Sequence, residues 1–293
     1  MKKLNVETVD NNVDFVEKFF YNKKFFKNKL LITRKVFGIA LIASILALNL
    51  SIIAMPAPLP VKVPIILYHN IKEQLDPEDD VLLNITPENF EMHMETLKNK
   101  GYNPISFYEY YDLVVKKVPL PDNPIIISFD DGYENNYTYA FPTLEKLDMK
   151  ATIFVVTDRM GAPAGNGVIY PHFTWEQARE MQNSGIIDIE SHSDTHGNMF
   201  AMPKGDMQRE FRRSKYLIEK NLNKECYVFA FPYGGNTIEA RALGTQADYK
   251  ILCLVGDVGA NSAGENLAAL KRITISGILT ADELVQTITK NLI

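Results

Sequence analysis

The sequence predicts an α/β fold in which a parallel sheet or barrel is wrapped by helices. Two observations predict it: apolar strand patterns alternate with helical patterns from residue 63 onward, and no internal repeat or low-complexity tract interrupts them. The chain has 293 residues and is 46% hydrophobic, which is enough for one large domain with a deep core. We therefore expect a single folded domain over residues 63–293.

The individual elements follow from local signals. Strands are expected at residues 64–69, 103–106, 124–130, 151–157, 186–190, 227–231, 249–255 and 270–275. The first helix should begin after the capping Thr86, with Pro87 in its first turn, and end at Gly101. Later helices are expected at residues 107–115, 136–147, 174–184, 206–222 and 280–292. Thr280 and Glu283 match a capping box at the start of the last helix.

The amino-terminal region has the pattern of a membrane anchor. Residues 1–35 hold nine Lys or Arg against four acids, and residues 36–55 carry no charge. A helix of about 20 apolar residues crosses a bilayer, and its basic flank stays in the cytoplasm. We therefore predict a basic cytoplasmic segment (1–35), a single transmembrane helix (36–55), a Pro-rich linker (56–62) and an extracellular domain on the cell membrane.

Two alternatives to this anchor are weaker. A cleaved signal peptide usually totals about 15–30 residues, so a charged leader of this length is too long for one. A buried core helix does not need basic residues on one side only. We therefore favour an uncleaved anchor.

Net charge and cysteine content say little more about the function. A net charge of -5 gives no support for nucleic-acid binding. Cys226 and Cys253 both fall at or inside predicted strands. Export would permit a disulfide between them, whereas two small buried thiols are the simpler interpretation. The sequence predicts neither this pairing nor the oligomeric state.

Two adjacent carboxylates end the most apolar predicted strand. The run Ile-Ile-Ile-Ser-Phe at 125–129 stops at Asp130, Asp131 and Gly132. Such pairs also occur in ordinary turns. At the carboxyl end of a buried parallel strand, however, they suggest a metal ligand beside a general base.

Two histidines follow another predicted strand. His192 and His196 are four residues apart, a spacing that brings both imidazoles to one side of a single turn. Together with one of the two carboxylates they make a two-histidine, one-carboxylate set that leaves positions open for water and substrate, as in catalytic zinc sites. The same set suits ferrous iron, so the residues alone do not select the metal.

A third loop follows the strand predicted at 227–231. It reads Pro-Tyr-Gly-Gly from Pro232. Alone it would be a glycine turn. Beside a metal site, a fixed loop of this kind can aim a backbone N–H at a developing oxyanion.

These three segments, in this order and spacing, resemble the first three motifs of the polysaccharide deacetylases, also called the NodB-homology family. The motifs here are Ser-Phe-Asp-Asp-Gly-Tyr (128–133), His-Ser-Asp-Thr-His (192–196) and Phe-Ala-Phe-Pro-Tyr-Gly (229–234). The resemblance covers residues 121–293 directly. It implies a distorted (β/α) barrel and divalent-metal-dependent removal of acetyl groups from carbohydrate.

The resemblance also implies roles for individual residues. Asp130 matches the general base, and Asp131, His192 and His196 match the metal ligands, with zinc as the expected ion. Tyr233 would lend its backbone N–H to the oxyanion hole, with Pro232 beside it in the substrate-binding loop.

Two departures from the family pattern redirect the search for the remaining groups. Ala230 stands where most members carry an Arg, and no histidine follows His196 to act as general acid. His69 ends the first predicted strand. A histidine at this place resembles the circularly permuted poly-N-acetylglucosamine deacetylase subgroup, and the resemblance implies that His69 is the general acid. Arg272 could supply the missing guanidinium, although it could equally be a surface arginine. His93 and His172 are interpreted as surface or structural.

The expected function is removal of N-acetyl groups from an N-acetylglucosamine-containing cell-surface polysaccharide, with the membrane and the carbohydrate polymer as partners. One alternative is another enzyme on this scaffold, either a peptidoglycan N-acetylglucosamine deacetylase or a carbohydrate O-acetyl esterase. A further alternative is a non-catalytic glycan-binding surface protein. A complete set of acid, base and metal ligands favours an enzyme.

Overall fold

The computed structural model describes residues 61–292 apart from 166, 168, 257 and 258, together with Lys27 and Ile39. A compact unit spans Pro60–Ile293. The predicted cytoplasmic segment (1–35), transmembrane helix (36–55) and most of the linker (56–62) lie outside the described residues. Among the residues that are described, the helices are all too short or too polar to span a bilayer.

Short strands and longer helices alternate along this unit. The strands are β1 (Lys62–Val63), β2 (Ile65–Tyr68), β3 (Asn70–Ile71), β4 (Asn84–Ile85), β5 (Asn103–Pro104), β6 (Pro124–Phe129), β7 (Ala151–Val155), β8 (Ile187–Ser191), β9 (Val228–Ala230), β10 (Ile251–Cys253), β11 (Asn261–Ser262) and β12 (Ile273–Thr274). The helices are α1 (Pro87–Asn99), α2 (Phe107–Lys116), α3 (Phe141–Leu147), α4 (Trp175–Ser184), α5 (Lys204–Leu222), α6 (Ile238–Gln246) and α7 (Ala281–Lys290).

The main sheet is a half-barrel of parallel strands. Its order is β10-β9-β8-β7-β6-β2-β12, with β5 also pairing with β6. Every one of these pairs is parallel. Leu270, just before β12, bridges Cys253 in β10, so this segment contacts the strand at the far edge of the sheet. The predicted α/β class and the parallel sheet are therefore confirmed.

Side chains of the sheet divide between two apolar clusters, as strand alternation requires. Ile125, Ile127 and Phe129 of β6 belong to the larger cluster, which also contains buried residues of α1, α4 and α5. Ile126 belongs to the second cluster with Phe154 of β7. Burial on both faces explains why the parallel strands read as continuous apolar runs rather than as alternating patterns.

Helix boundaries agree with the capping signals in the sequence. Thr86 accepts a hydrogen bond from the first turn of α1, and Thr280 forms the predicted capping box with Glu283 at α7. The helix predicted at 136–147 begins instead as a π-helical turn over Asn136–Ala140 before α3. Helix α6 was not predicted. Its sequence contains Gly and Thr, and its first residue, Ile238, is an apolar side chain that is 81% exposed in the structure.

Both cysteines are buried free thiols. Each residue is fully inaccessible to solvent. The simpler of the two interpretations of Cys226 and Cys253 is therefore the one that the structure shows.

A close backbone contact makes Gly277 a sensitive position. A Cβ atom at Gly277 would lie 2.1 Å from the carbonyl oxygen of Asn84 and 2.7 Å from the Cα of Ile85. We expect Gly277→Ala to lower the free energy of unfolding by about 2 kcal/mol or more, since neither backbone atom can move alone. Urea denaturation measures this change.

Gly205 supplies the matched control for that substitution. It lies in the first turn of α5 with no atom within 4 Å of a new Cβ. Gly205→Ala should therefore raise the free energy of unfolding by about 0.5–1 kcal/mol through helix propensity. Equal effects of the two substitutions would contradict the proposed clash.

Candidate metal centre and active site

The carboxylate pair lies at the carboxyl end of β6, as predicted. Asp131 has a left-handed backbone (φ 74°), and Gly132 follows with φ 78°. A Cβ at Gly132 would come within 3.0 Å of the Val155 side chain, so both the conformation and the space favour glycine here. This turn lets Asp130 and Asp131, although adjacent in sequence, reach the same buried site.

His192 and His196 come together through a strained loop rather than a helical turn. His192 directly follows β8, and the ring centroids of the two histidines are 5.0 Å apart. Ser193 (φ 73°) and His196 (φ 62°) both adopt the left-handed conformation. The predicted convergence of the rings is therefore present, but positive-φ residues produce it.

Asp131, His192 and His196 form a cluster that could hold a metal ion. Their ligand atoms all lie within 4.8 Å of one another. Asp131 Oδ1 lies 3.1 Å from His196 Nε2 and 3.6 Å from His192 Nε2. This oxygen is buried and has no hydrogen-bond partner among the described residues, which fits an atom that would bind a cation.

The protonation states suit metal binding. Burial lowers the pKa of His192 to about 4, with Asp130 partly opposing this effect, so the imidazole is neutral near pH 7. Burial alone would raise the pKa of Asp131, but the contact with His196, and His192 in its protonated form, hold it well below its usual range. Neutral imidazoles and an ionised carboxylate are the forms that ligate metals.

Both histidines use Nδ1 in a contact away from the candidate metal position, which leaves Nε2 of each ring available to bind a metal. His192 Nδ1 lies 2.9 Å from the carbonyl oxygen of Ala230, which can only accept, so Nδ1 carries the proton. His196 Nδ1 lies 3.0 Å from the Tyr233 hydroxyl. With both Nδ1 atoms engaged, the Nε2 atoms face the candidate metal position, and such contacts orient ligands in metal sites.

Arg272 forms an ion pair with Asp130. Its two terminal nitrogens donate to the two carboxylate oxygens at 2.6 and 2.7 Å, and its Nε donates to the carbonyl of Leu254. The guanidinium also stacks 5.3 Å from the Phe154 ring centre. Arg272 is fully buried, so the alternative of a surface arginine is wrong. The family pattern places an arginine at position 230. In this chain Arg272, which directly precedes β12, provides the guanidinium instead.

This pair determines the state of Asp130. Burial would raise the pKa of Asp130, but the charge of Arg272 and its hydrogen bonds, with His192 in its protonated form, hold it below its usual range. Asp130 Oδ2 also lies 3.8 Å from His192 Nε2. An ionised, oriented carboxylate therefore sits next to the candidate metal position without belonging to the three-residue cluster.

His69 lies beside Asp130 because β2 pairs with β6. Tyr68 is in register with Phe129, and the Asp130 N–H donates to the Tyr68 carbonyl. Asn136 donates to the His69 carbonyl at 2.8 Å, which fixes its backbone. Protonation of His69 would lower the pKa of both Asp130 and Asp131, so the imidazole is within electrostatic reach of the carboxylates.

The Pro232–Tyr233 loop closes another side of the site. Tyr233 has a left-handed backbone (φ 54°) within the short 3-10 turn Pro232–Gly234, and its side chain is 62% exposed. Its ring centroid lies 4.6 Å from that of His196. The predicted residues that follow β2, β6, β8 and β9 thus lie at the carboxyl ends of these strands, and the Arg272 side chain reaches Asp130 from the amino end of β12. The contact made by the Tyr233 hydroxyl was not predicted.

Two histidines interpreted as surface or structural are both buried. His93 is bound by the Tyr68 hydroxyl and the Leu279 carbonyl. The helical spacing of Phe90, His93 and Leu97 could have indicated its burial. His172 packs 5.1 Å from the Tyr133 ring, two residues beyond Asp131, and burial lowers its pKa to about 4.

Comparisons with known proteins decide the family. Residues 117–252 match the family profile described as polysaccharide deacetylase. The Bacillus subtilis (strain 168) protein YxkH, whose name assigns it provisionally to the polysaccharide deacetylases, is 30% identical over 217 residues, covering 74% of this chain and 72% of YxkH. The chain belongs to the polysaccharide deacetylase family.

More distant relatives of this deacetylase carry more specific names. A Staphylococcus epidermidis (strain ATCC 35984 / RP62A) poly-beta-1,6-N-acetyl-D-glucosamine N-deacetylase is 25% identical over 189 residues, covering 57% of the chain and 63% of the relative. The Streptococcus pyogenes deacetylase PplD, solved in complex with acetate, superposes with a TM-score of 0.70 at 27% identity. That match covers 78% of this chain and 99% of PplD. The chain is therefore a hydrolase of the polysaccharide deacetylase class.

Proposed function

We propose that this deacetylase is metal-dependent and removes N-acetyl groups from an N-acetylglucosamine-containing cell-surface polysaccharide. The observation that supports this most directly is the buried Asp131–His192–His196 cluster beside an Arg-paired Asp130. A deacetylase needs an activated water, a base to deprotonate it and an acid for the departing amine. Each requirement has a candidate group at this site.

Asp131, His192 and His196 would hold the ion, with zinc as the proposed metal. A bound divalent ion would lower the pKa of water and polarise the acetyl carbonyl. Two imidazole nitrogens and one carboxylate oxygen are a ligand set typical of catalytic zinc. The burial of Asp131 supports this proposal, because an ionised carboxylate inside a protein is unfavourable unless a cation or another charge accompanies it.

The remaining residues divide the proton transfers. Asp130 accepts the proton of the attacking water, since Arg272 keeps it ionised and fixes both of its oxygens. The Tyr233 loop supplies a backbone N–H to the developing oxyanion. His69, next to Asp130 at the neighbouring strand end, donates a proton to the departing amine.

An N-acetylated amino-sugar polymer is the proposed substrate. The named poly-N-acetylglucosamine deacetylase among the relatives supports this choice, and so does the position of His69 directly after β2, ahead of the other site residues along the chain. A peptidoglycan deacetylase or O-acetyl esterase would use the same groups. We also propose that residues 36–55 anchor the enzyme with its catalytic domain outside the cell.

Acetate release tests the proposed function. The full-length protein in detergent should release acetate from N-acetylglucosamine oligomers, a metal chelator should abolish release, and added zinc should restore it. The expected loss is complete because both water activation and carbonyl polarisation depend on the ion. Acetate is measured by a coupled enzymatic assay.

An O-acetylated sugar serves as the comparison substrate for that assay. Release from the ester alone would favour the esterase alternative. Amide hydrolysis that survives chelation would contradict metal dependence. Bound metal without acetate release from either substrate would favour a glycan-binding protein.

A further inference from the structure

A buried glutamate on α5 holds the loop between the two histidine ligands. Glu210 is 2% exposed. Its Oε2 accepts the backbone N–H groups of Asp194 at 2.9 Å and Thr195 at 2.8 Å, and its Oε1 accepts the Thr195 hydroxyl at 2.7 Å. One carboxylate therefore satisfies three donors that lie directly between His192 and His196.

This loop needs such support because its backbone is strained. Ser193 and His196 both have positive φ values without being glycine. A non-glycine residue in this conformation is energetically unfavourable, and the conformation persists only where surrounding contacts determine it. A charge-assisted bond to a backbone N–H is among the stronger hydrogen bonds in proteins.

Other side chains of α5, and one from the 3-10 turn Thr157–Arg159 after β7, complete the contact with the loop. Arg213, one turn after Glu210, pairs with Asp194 at 2.8 Å, and Asp194 also accepts the Thr157 hydroxyl at 2.7 Å. Ser214 accepts a hydrogen bond from Ser191 at 2.8 Å. The loop is thus tied to a 19-residue helix rather than free to relax.

We propose that Glu210 is a positioning residue for the metal centre, holding the 193–195 loop in the strained conformation that brings His192 and His196 onto one ion. This inference rests on the proposed metal centre. It concerns metal binding alone and is independent of which acetylated polymer the enzyme uses. Glu210 itself contacts neither histidine ring.

The test measures zinc binding to the metal-free full-length protein by isothermal titration. Glu210→Gln keeps the size of the side chain but replaces one accepting oxygen with a donor that faces the same N–H or hydroxyl groups. We expect zinc affinity to fall about 10–100-fold, the range for outer contacts of metal ligands. Thermal unfolding of the metal-free protein is measured in parallel.

Glu190 provides a matched control. It is also a fully buried glutamate, two residues before His192, and accepts the backbone N–H groups of Tyr227 at 3.0 Å and Val228 at 2.8 Å. Its bonds hold the start of β9 rather than the ligand loop. Glu190→Gln should therefore leave zinc affinity unchanged, whatever its effect on thermal stability.

The outcomes distinguish the positioning role of Glu210 from the existence of the metal centre. If the parent protein binds no zinc, the metal centre is wrong and the inference falls with it. If the parent binds zinc and Glu210→Gln binds equally well, only the role of Glu210 is overturned. Should Glu210→Gln fail to fold, the Thr195→Val protein takes its place, since this substitution removes a single hydrogen bond to Glu210. The inference still requires that Thr195→Val measurably lowers zinc affinity.

Discussion

Replacing Asp130 with Asn should lower turnover of N-acetylglucosamine oligomers by about 10²–10⁴-fold, the contribution of a positioned general base. An amide of the same shape cannot accept a proton from water at neutral pH. Asp131, His192 and His196 make up the candidate metal cluster without Asp130. Zinc should therefore still bind to the Asp130→Asn protein, and steady-state acetate release with metal analysis measures both properties.

The same substitution also disturbs Arg272, so its effect on folding must be separated from its effect on chemistry. The amide nitrogen of Asn would face a guanidinium that now donates 2.6 and 2.7 Å hydrogen bonds to Asp130. Assays therefore belong at a temperature where unfolding curves show the variant to be folded. Turnover close to that of the parent, in folded and zinc-loaded protein, would contradict the role of Asp130 as base.

The sequence predicted the parts of the site that depend on local pattern. Asp130 and His192 follow apolar runs, and parallel strands place their carboxyl ends at one edge of the sheet. Burial on both faces of the sheet preserved this signal, because each core strand is apolar on both sides. The strands of the main sheet were therefore predictable, even where they are as short as β9, whereas the two-residue strands β1, β3, β4 and β11 were not predicted.

Contacts between distant positions were beyond such patterns. Asp130 and Arg272 are 142 residues apart, and no local signal indicates that an arginine before β12 turns inward. Glu210 reads as one more polar residue on an amphipathic helix. Its function appears only when α5 packs against the loop after β8. The left-handed conformation of Ser193 likewise depends on that packing, since serine alone does not favour it.

Arg272 is the position where substitution should destabilise the fold most. Arg272→Met should lower the free energy of unfolding by about 3–5 kcal/mol, because it leaves the Asp130 carboxylate, 1% exposed, without its charged partner. Methionine replaces most of the stem that packs beside Phe154. Urea denaturation of the metal-free protein measures the loss.

The double variant Asp130→Asn with Arg272→Met shows whether the pair serves stability, chemistry or both. Removing both charges leaves no uncompensated buried ion, so the double variant should be more stable than Arg272→Met alone. Turnover should nevertheless stay as low as in Asp130→Asn, because the base is still absent. A double variant that recovers both stability and turnover would show that Asp130 serves only as the partner of a buried arginine. A double variant no more stable than Arg272→Met would show that packing, rather than charge pairing, holds Arg272 in place.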